Sequence, residues 1–107
     1  MGTWCPNCAD GTALLLELYQ RYNPLGLGML TLACEHTGDE ARDSAIVRGY
    51  KEHHGAPWEY LVAAGLSDKA RASASLPFLG PAITSFPTLL FVDNQGRIHA
   101  VHTVRME

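Results

Sequence analysis

Trp4-Cys5-Pro6-Asn7-Cys8 puts two thiols two residues apart at the head of an amphipathic run, and this spacing constrains the chain more than any other feature. On a helix the two sulfurs lie within about one turn of each other. Pro6 suits the first helical position, where its missing N–H costs nothing. Cys5 then sits where unpaired backbone N–H groups and the positive end of the helix dipole favour an anion. A thiol attacks a disulfide only as its thiolate, and a free cysteine, with a pKa of about 8.5, is mostly protonated at neutral pH. At such a helix start the first cysteine falls to roughly 3.5–7.5. Cys5 is therefore the expected nucleophile. Cys8, one turn on and deeper, is expected to resolve a mixed disulfide by attacking Cys5. Pro6 and Asn7 lie between the sulfurs and tune the thiolate and the helix start, and Trp4 is expected to cover the apolar approach to Cys5.

Other uses of the pair fare worse. Half of a zinc site would need a second C-x-x-C or an H-x-x-x-H, and the sequence has neither; Cys34 with one histidine would be an improvised completion. No metal ligand set is therefore expected. A c-type haem attachment is excluded, because Ala9 stands where that motif needs histidine. Two inert buried cysteines fit poorly with a tryptophan before them and a strong helix after them. Three cysteines are too few for a stapled scaffold, and the odd one, Cys34, reads as a small apolar filler at a strand end, with a redox or regulatory thiol as the alternative.

At 107 residues and 47% hydrophobic, the chain reads as one domain with a single core, 1–107. A net charge of −3 without a basic stripe excludes nucleic acid as a partner. No apolar run approaches the roughly 18–20 residues that span a bilayer.

Helical and strand-like periods alternate, which predicts an α/β layer architecture. Leu14, Leu15, Leu18, Tyr19 and Tyr22 make one apolar stripe on a helix over 6–22. Asn23-Pro24 should stop it, since a residue before proline avoids the α region. The run 27–33 reads as a strand buried on both faces. Thr37-Gly38-Asp39-Glu40 has capping-box spacing and predicts a helix over about 39–53, with Ala41, Ala45, Ile46 and Tyr50 facing inward and Gly55-Ala56-Pro57 ending it. Tyr60-Leu61-Val62 predicts a short strand. Ser67 is expected to cap a short helix to about Ser75, and Pro77, Gly80 and Pro81 to break up the stretch after it. Thr88 to Asp93, the turn residues Asn94-Gln95-Gly96 and Arg97 to Thr103 predict a β-hairpin.

Ser85-Phe86-Pro87-Thr88 is the second motif, a proline leading into that hairpin. A proline opening a strand is ordinary by itself. Together, Gly2-Thr3-Trp4-Cys5-Pro6-Asn7-Cys8 with Leu18-Tyr19 and Tyr22, the segment 26–30, and Phe86-Pro87-Thr88-Leu89-Leu90-Phe91-Val92-Asp93-Asn94-Gln95-Gly96-Arg97-Ile98 resemble the TlpA/ResA-type branch of the thioredoxin superfamily over nearly the whole chain. The resemblance implies a central sheet flanked by helices, with an inserted segment at about 55–83. It implies a thiol–disulfide oxidoreductase that needs no cofactor, a disulfide-containing protein substrate and an upstream thiol reductant. It implies a cis bond before Pro87 beside the cysteine pair, and a Phe86 backbone that hydrogen-bonds an extended substrate. It implies a place outside the cytoplasm, in a bacterial periplasm or cell envelope, secreted or held by a membrane anchor outside this chain.

The pattern departs from the family in three places. Relatives often carry an acid three positions after the second cysteine, where this chain has Gly11; the neighbouring Asp10 is either a partial substitute or a first-turn helix acid. The family also has a long central strand before the tryptophan and a helix after the hairpin. Both are expected to be missing from these 107 residues, leaving strand edges that invite self-association. A peroxiredoxin-like peroxidase shares the fold but needs threonine or serine where Gly2 stands, and a binding or assembly module with incidental thiols is the remaining alternative. Trp58 and Tyr60 are expected to pack in the insert, His53-His54 to favour a helix C-terminus as cations, and His99 and His102 to face solvent.

Overall fold

In the computed structural model, residues 1–62 and 86–103 are described, and they form a mixed helix-and-strand architecture. Helix α1 runs Pro6–Tyr22, the span its apolar spacing predicts. Cys5 caps it from extended backbone and Pro6 opens it. Its end differs in detail. Asn23 stays in the right-handed α region despite the proline after it, and the chain continues as a one-turn 3-10 helix, Asn23–Leu25. Gly26, at φ 107°, then turns the chain, a backbone shape open to glycine. The buried residues of α1 are Cys8, Gly11 and Thr12, not the leucine stripe. Leu14 and Tyr22 are exposed, and Leu15, Leu18 and Tyr19 are half-buried. The partners of the helix explain this. Its first turns meet Pro87 and Tyr50, while farther along Tyr19 meets Trp58.

Strand β1 is Leu30–Ala33, helix α2 is Glu40–His54 and strand β2 is Glu59–Val62. The strands pair in parallel, Leu30 opposite Glu59 and Ala33 opposite Val62, so α2 is the crossover that a parallel pair requires. The sequence predicts a longer strand buried on both faces. Instead burial rises along β1 from Leu30, 55% exposed, to Ala33, fully covered. Met1 explains the gradient. Its amino group donates to the Leu32 carbonyl at 2.9 Å and its carbonyl accepts the Cys34 N–H at 2.7 Å, which covers the end of β1 and leaves its start open.

The cap of α2 is Asp39, whose carboxylate accepts the Arg42 N–H at 3.1 Å, so Thr37 does not serve as the capping-box residue. Thr37 turns to Asp43, which accepts from its N–H at 3.3 Å and from its hydroxyl. Asp43 is thereby drawn inside. The covered face of α2 becomes Asp43, Val47 and the half-buried Tyr50, and the predicted inward residues Ala41, Ala45 and Ile46 lie exposed. An apolar-spacing count cannot see a buried carboxylate. Gly55 closes the helix at φ 66°.

Strands β3, Thr88–Val92, and β4, Ile98–Thr103, form the predicted antiparallel hairpin, with an irregularity between Phe91 and Val92. Asp93 ties the turn, accepting the N–H of Gln95 at 2.8 Å and of Arg97 at 3.0 Å. Each strand pair is a separate sheet; among the described residues no strand joins β1 to β3. The helix expected at Ser67 to Ser75, the breaks at Pro77, Gly80 and Pro81, and residues 104–107 lie outside the described residues. Trp58 and Tyr60 are not confined to an insert. Tyr60 belongs to β2, and the buried Trp58 donates to Thr31 Oγ1 of β1 at 2.8 Å, with its rings 5.3 Å from Tyr19 of α1 and stacked on Tyr60.

Candidate functional site: the Cys5–Cys8 pair

The site begins with the segment Met1 to Trp4, which runs over the end of β1. Two bonds tie Met1 to Leu32 and Cys34. Thr3 donates its N–H to Glu35 Oε2 at 2.9 Å and its hydroxyl to Glu35 Oε1. Trp4 donates its indole N–H to the Cys34 carbonyl at 2.7 Å. Gly2 lies beneath the indole. A Cβ there would come within 2.2 Å of two indole atoms, so the close approach requires glycine. The Gly2 carbonyl in turn accepts the Cys5 N–H at 3.1 Å. Each residue before the helix is thus fixed by β1, by its end or by the next turn of chain.

Cys5 is the N-cap of α1, and its sulfur accepts the Cys8 N–H at 3.2 Å. That contact places one amide of the first helical turn on the Cys5 sulfur. The sulfur also faces the Phe86 carbonyl at 3.8 Å. The Phe86–Pro87 peptide bond is cis, and Pro87 is buried. Phe86 meets Trp4 edge-on, ring centroids 5.3 Å apart, and Trp4 remains 36% exposed. Cys5 is 6% exposed, with the Trp4–Phe86 ring pair forming an aromatic rim next to it. Cys8 is deeper at 3%. Pro6 and Asn7 are exposed on the first turn. All three cysteines are free thiols.

The two sulfurs differ in surroundings. Burial pushes the Cys8 thiol up to about 12, the contact with Cys5 adds to the rise, and a backbone contact from Gly2 opposes it. Behind Cys8 sit hydroxyls. Thr12 donates to the Cys8 carbonyl at 2.8 Å and lies 3.0 Å from the Tyr50 hydroxyl. Burial raises the pKa of both Tyr50 and Tyr60. Gly11 is buried, with ordinary van der Waals room toward Pro87. Asp10 is not a first-turn helix acid. It is exposed, and the first turn of α1 holds no acid.

Cys34 is buried, and burial raises its pKa too. Its backbone, not its thiol, takes part in the site, through Met1 and Trp4. His53 is exposed, but His54 does not favour the cation: burial first, then the neighbouring His53, lower its pKa. His99 and His102 are exposed, and His99 Nε2 pairs with Asp93 at 3.0 Å. Among the described residues no three His, Cys, Asp or Glu side chains are grouped to hold a metal ion. A groove of about 410 Å³ between α2 and β2, with Val47, Lys51 and Tyr60 in its lining, includes neither Cys5 nor Cys8. Sequence reasoning misses Glu35, Thr12 and Tyr50 as site residues. The one signal for Glu35 is a charge set directly after an apolar strand, and nothing in spacing marks the two hydroxyls.

No protein-family model matches the chain, and no curated protein matches it. The site therefore stands on its geometry. Two free thiols lie one turn apart, the first at a helix N-cap and beside a cis proline.

Proposed function

We propose that this chain is a thiol–disulfide oxidoreductase of thioredoxin-like fold that reduces protein disulfides. The observation that carries the reading is the Cys8 N–H on the Cys5 sulfur at the N-cap of α1, beside the Phe86-Pro87 segment. In this reading the Cys5 thiolate attacks one sulfur of a substrate disulfide. The substrate S–S bond breaks, and the departing thiolate takes up a proton. Cys8, having lost its proton, then attacks the Cys5 sulfur and releases the second substrate thiol. The products are a reduced substrate and a Cys5–Cys8 disulfide, a transfer of two electrons that needs no cofactor. An upstream thiol reductant returns the pair to the dithiol.

Trp4 and Phe86 form one aromatic surface next to the dithiol, so an extended substrate would lie against it, along the Phe86 backbone. The family resemblance supports a site of action outside the cytoplasm. Among the described residues no helix is long and apolar enough to cross a membrane.

The test is a titration against glutathione buffers with alkylation trapping, beside an insulin-disulfide reduction assay. One two-electron transition between Cys5 and Cys8 is expected, with loss of activity in Cys5→Ser. A folded Cys5→Ser protein that still reduces insulin disulfides would overturn the proposal.

A further inference from the structure

Glu35 is 1% exposed and makes no contact with either cysteine among the hydrogen bonds of the site. A carboxylate is costly to bury unless it is paired or fully hydrogen-bonded. Among the described residues no lysine, arginine or histidine forms an ion pair with it. Its two oxygens are instead spent on one residue, Thr3, through the backbone N–H at 2.9 Å and through the hydroxyl. Thr3 is two residues before Cys5. Its neighbour Gly2 supplies the carbonyl that holds the Cys5 N–H, and its other neighbour Trp4 forms half of the aromatic rim. The Cys34 carbonyl, one residue before Glu35, fixes the Trp4 indole.

We infer that Glu35 is a positioning residue for the dithiol: by clasping Thr3 at two points it sets the loop whose Gly2 and Trp4 surround Cys5 and Cys8. The inference rests on the oxidoreductase reading and goes beyond it, because it assigns a role to a carboxylate that touches no reacting atom. The physical logic is that of a bidentate clamp. One acceptor would leave Thr3 free to pivot. Two acceptors on one rigid carboxylate fix both the backbone and the side chain. Displacing Thr3 would move the Gly2 backbone, which counters the rise in the Cys8 pKa, and would unseat the Trp4 ring from Phe86, whose carbonyl faces the Cys5 sulfur.

The experiment compares wild type with Glu35→Gln, Thr3→Val and the double variant, all in the intact chain. Glu35→Gln keeps the shape but only one acceptor. Thr3→Val removes the hydroxyl and leaves the carboxylate. The readouts are the Cys5–Cys8 equilibrium constant with glutathione and the pH dependence of alkylation at Cys5, with circular dichroism to verify folding. Each single variant is expected to shift the equilibrium constant by more than twofold and at most about tenfold, the limit set by one charge-assisted hydrogen bond felt in only one redox state. The double variant should shift it no further than the larger single, since both remove the same link. If Glu35→Gln does not fold, Thr3→Val carries the test by itself. Folded variants with the wild-type constant and wild-type pH profile overturn the clasp and leave the oxidoreductase reading intact. A wild-type protein without a two-electron transition overturns the oxidoreductase reading, and the clasp's role with it.

Discussion

Replacing Gly2 with alanine adds one methyl group, yet the structure makes that change expensive. The new Cβ would come 2.2 Å from Trp4 Cε2 and Nε1 and 2.6 Å from Cζ2, closer than carbon atoms tolerate. The obstacle is a ring pinned on two sides, so the indole must leave. It then gives up its bond to the Cys34 carbonyl and its edge-on contact with Phe86. Leaving a buried carbonyl unpaired costs about 1–3 kcal/mol, and an aromatic pair contributes about 0.5–1.5 kcal/mol. Part of the indole is already in water, which argues for the lower half of that sum, so the expected loss is about 1.5–3 kcal/mol. Urea unfolding of the reduced protein, followed by far-ultraviolet circular dichroism, measures it. The informative control is the same change in a Trp4→Ala background. There the methyl group meets no ring, and Gly→Ala is expected to be neutral or slightly stabilising through the unfolded chain. A loss of equal size in both backgrounds would refute the steric argument.

Three further outcomes are expected. The folded Cys8 thiol, raised to about 12 from an ordinary 9.0, holds its proton when the unfolded chain has lost it. Its contribution to stability is complete below pH 9.0 and is lost as pH climbs toward 12, at up to about 1.4 kcal/mol per pH unit, so reduced wild type should weaken over that range more steeply than Cys8→Ser in urea titrations at several pH values. Asp43→Ala should cost about 1–3 kcal/mol, because it takes the acceptor from the Thr37 N–H, while the Thr37 hydroxyl keeps the Asp39 carbonyl; Asp43→Asn should recover part of that, and a loss within about 0.5 kcal/mol would contradict the assignment. Sedimentation should show self-association through open strand edges, reversed by Leu30→Lys or Phe91→Lys; a monomer at all concentrations would count against it.

How much of this is legible in the sequence depends on which force shapes each element. Helix α1 and the β3–β4 hairpin obey local signals. Proline at the helix start, a leucine period and an Asp-Asn-Gln-Gly turn act within a few residues, and they place the element bounds closely. Burial is not readable in the same way. The leucine stripe of α1 predicts a covered face, but the helix packs through Cys8, Gly11 and Thr12, because the Pro87 segment reaches it from the far end of the chain, beyond any local period. The inward face of α2 departs from its apolar spacing because Thr37 pulls in a carboxylate. Within the site, Cys5, Cys8, Trp4 and Phe86-Pro87 are legible as motifs and do come together. Glu35 is not. Its partner, Thr3, lies 32 residues away, and no pattern of types links a threonine to so distant an acid.

The position of that acid connects the sheet to the proposed chemistry. β1 is open at Leu30 and sealed at Ala33, and the residues directly after its sealed end, Cys34 and Glu35, hold the loop that precedes the dithiol. A strand frays from its least covered end, so local opening would begin at Leu30 and reach the clasp last. The arrangement thus ties the geometry around Cys5 to the best-packed part of the parallel pair. It also explains why a buried carboxylate is retained there. An apolar residue at position 35 would leave the Thr3 N–H and hydroxyl without acceptors, whereas the carboxylate satisfies both and spans two directions at once. The same reasoning separates the two sulfurs. Cys5 receives the amide that opens α1, while Cys8 lies under the Gly2 backbone and keeps its proton by burial. In the proposed reaction the order of attack comes from that asymmetry: the sulfur at the helix start strikes first, and the enclosed one acts only after a mixed disulfide has formed beside it.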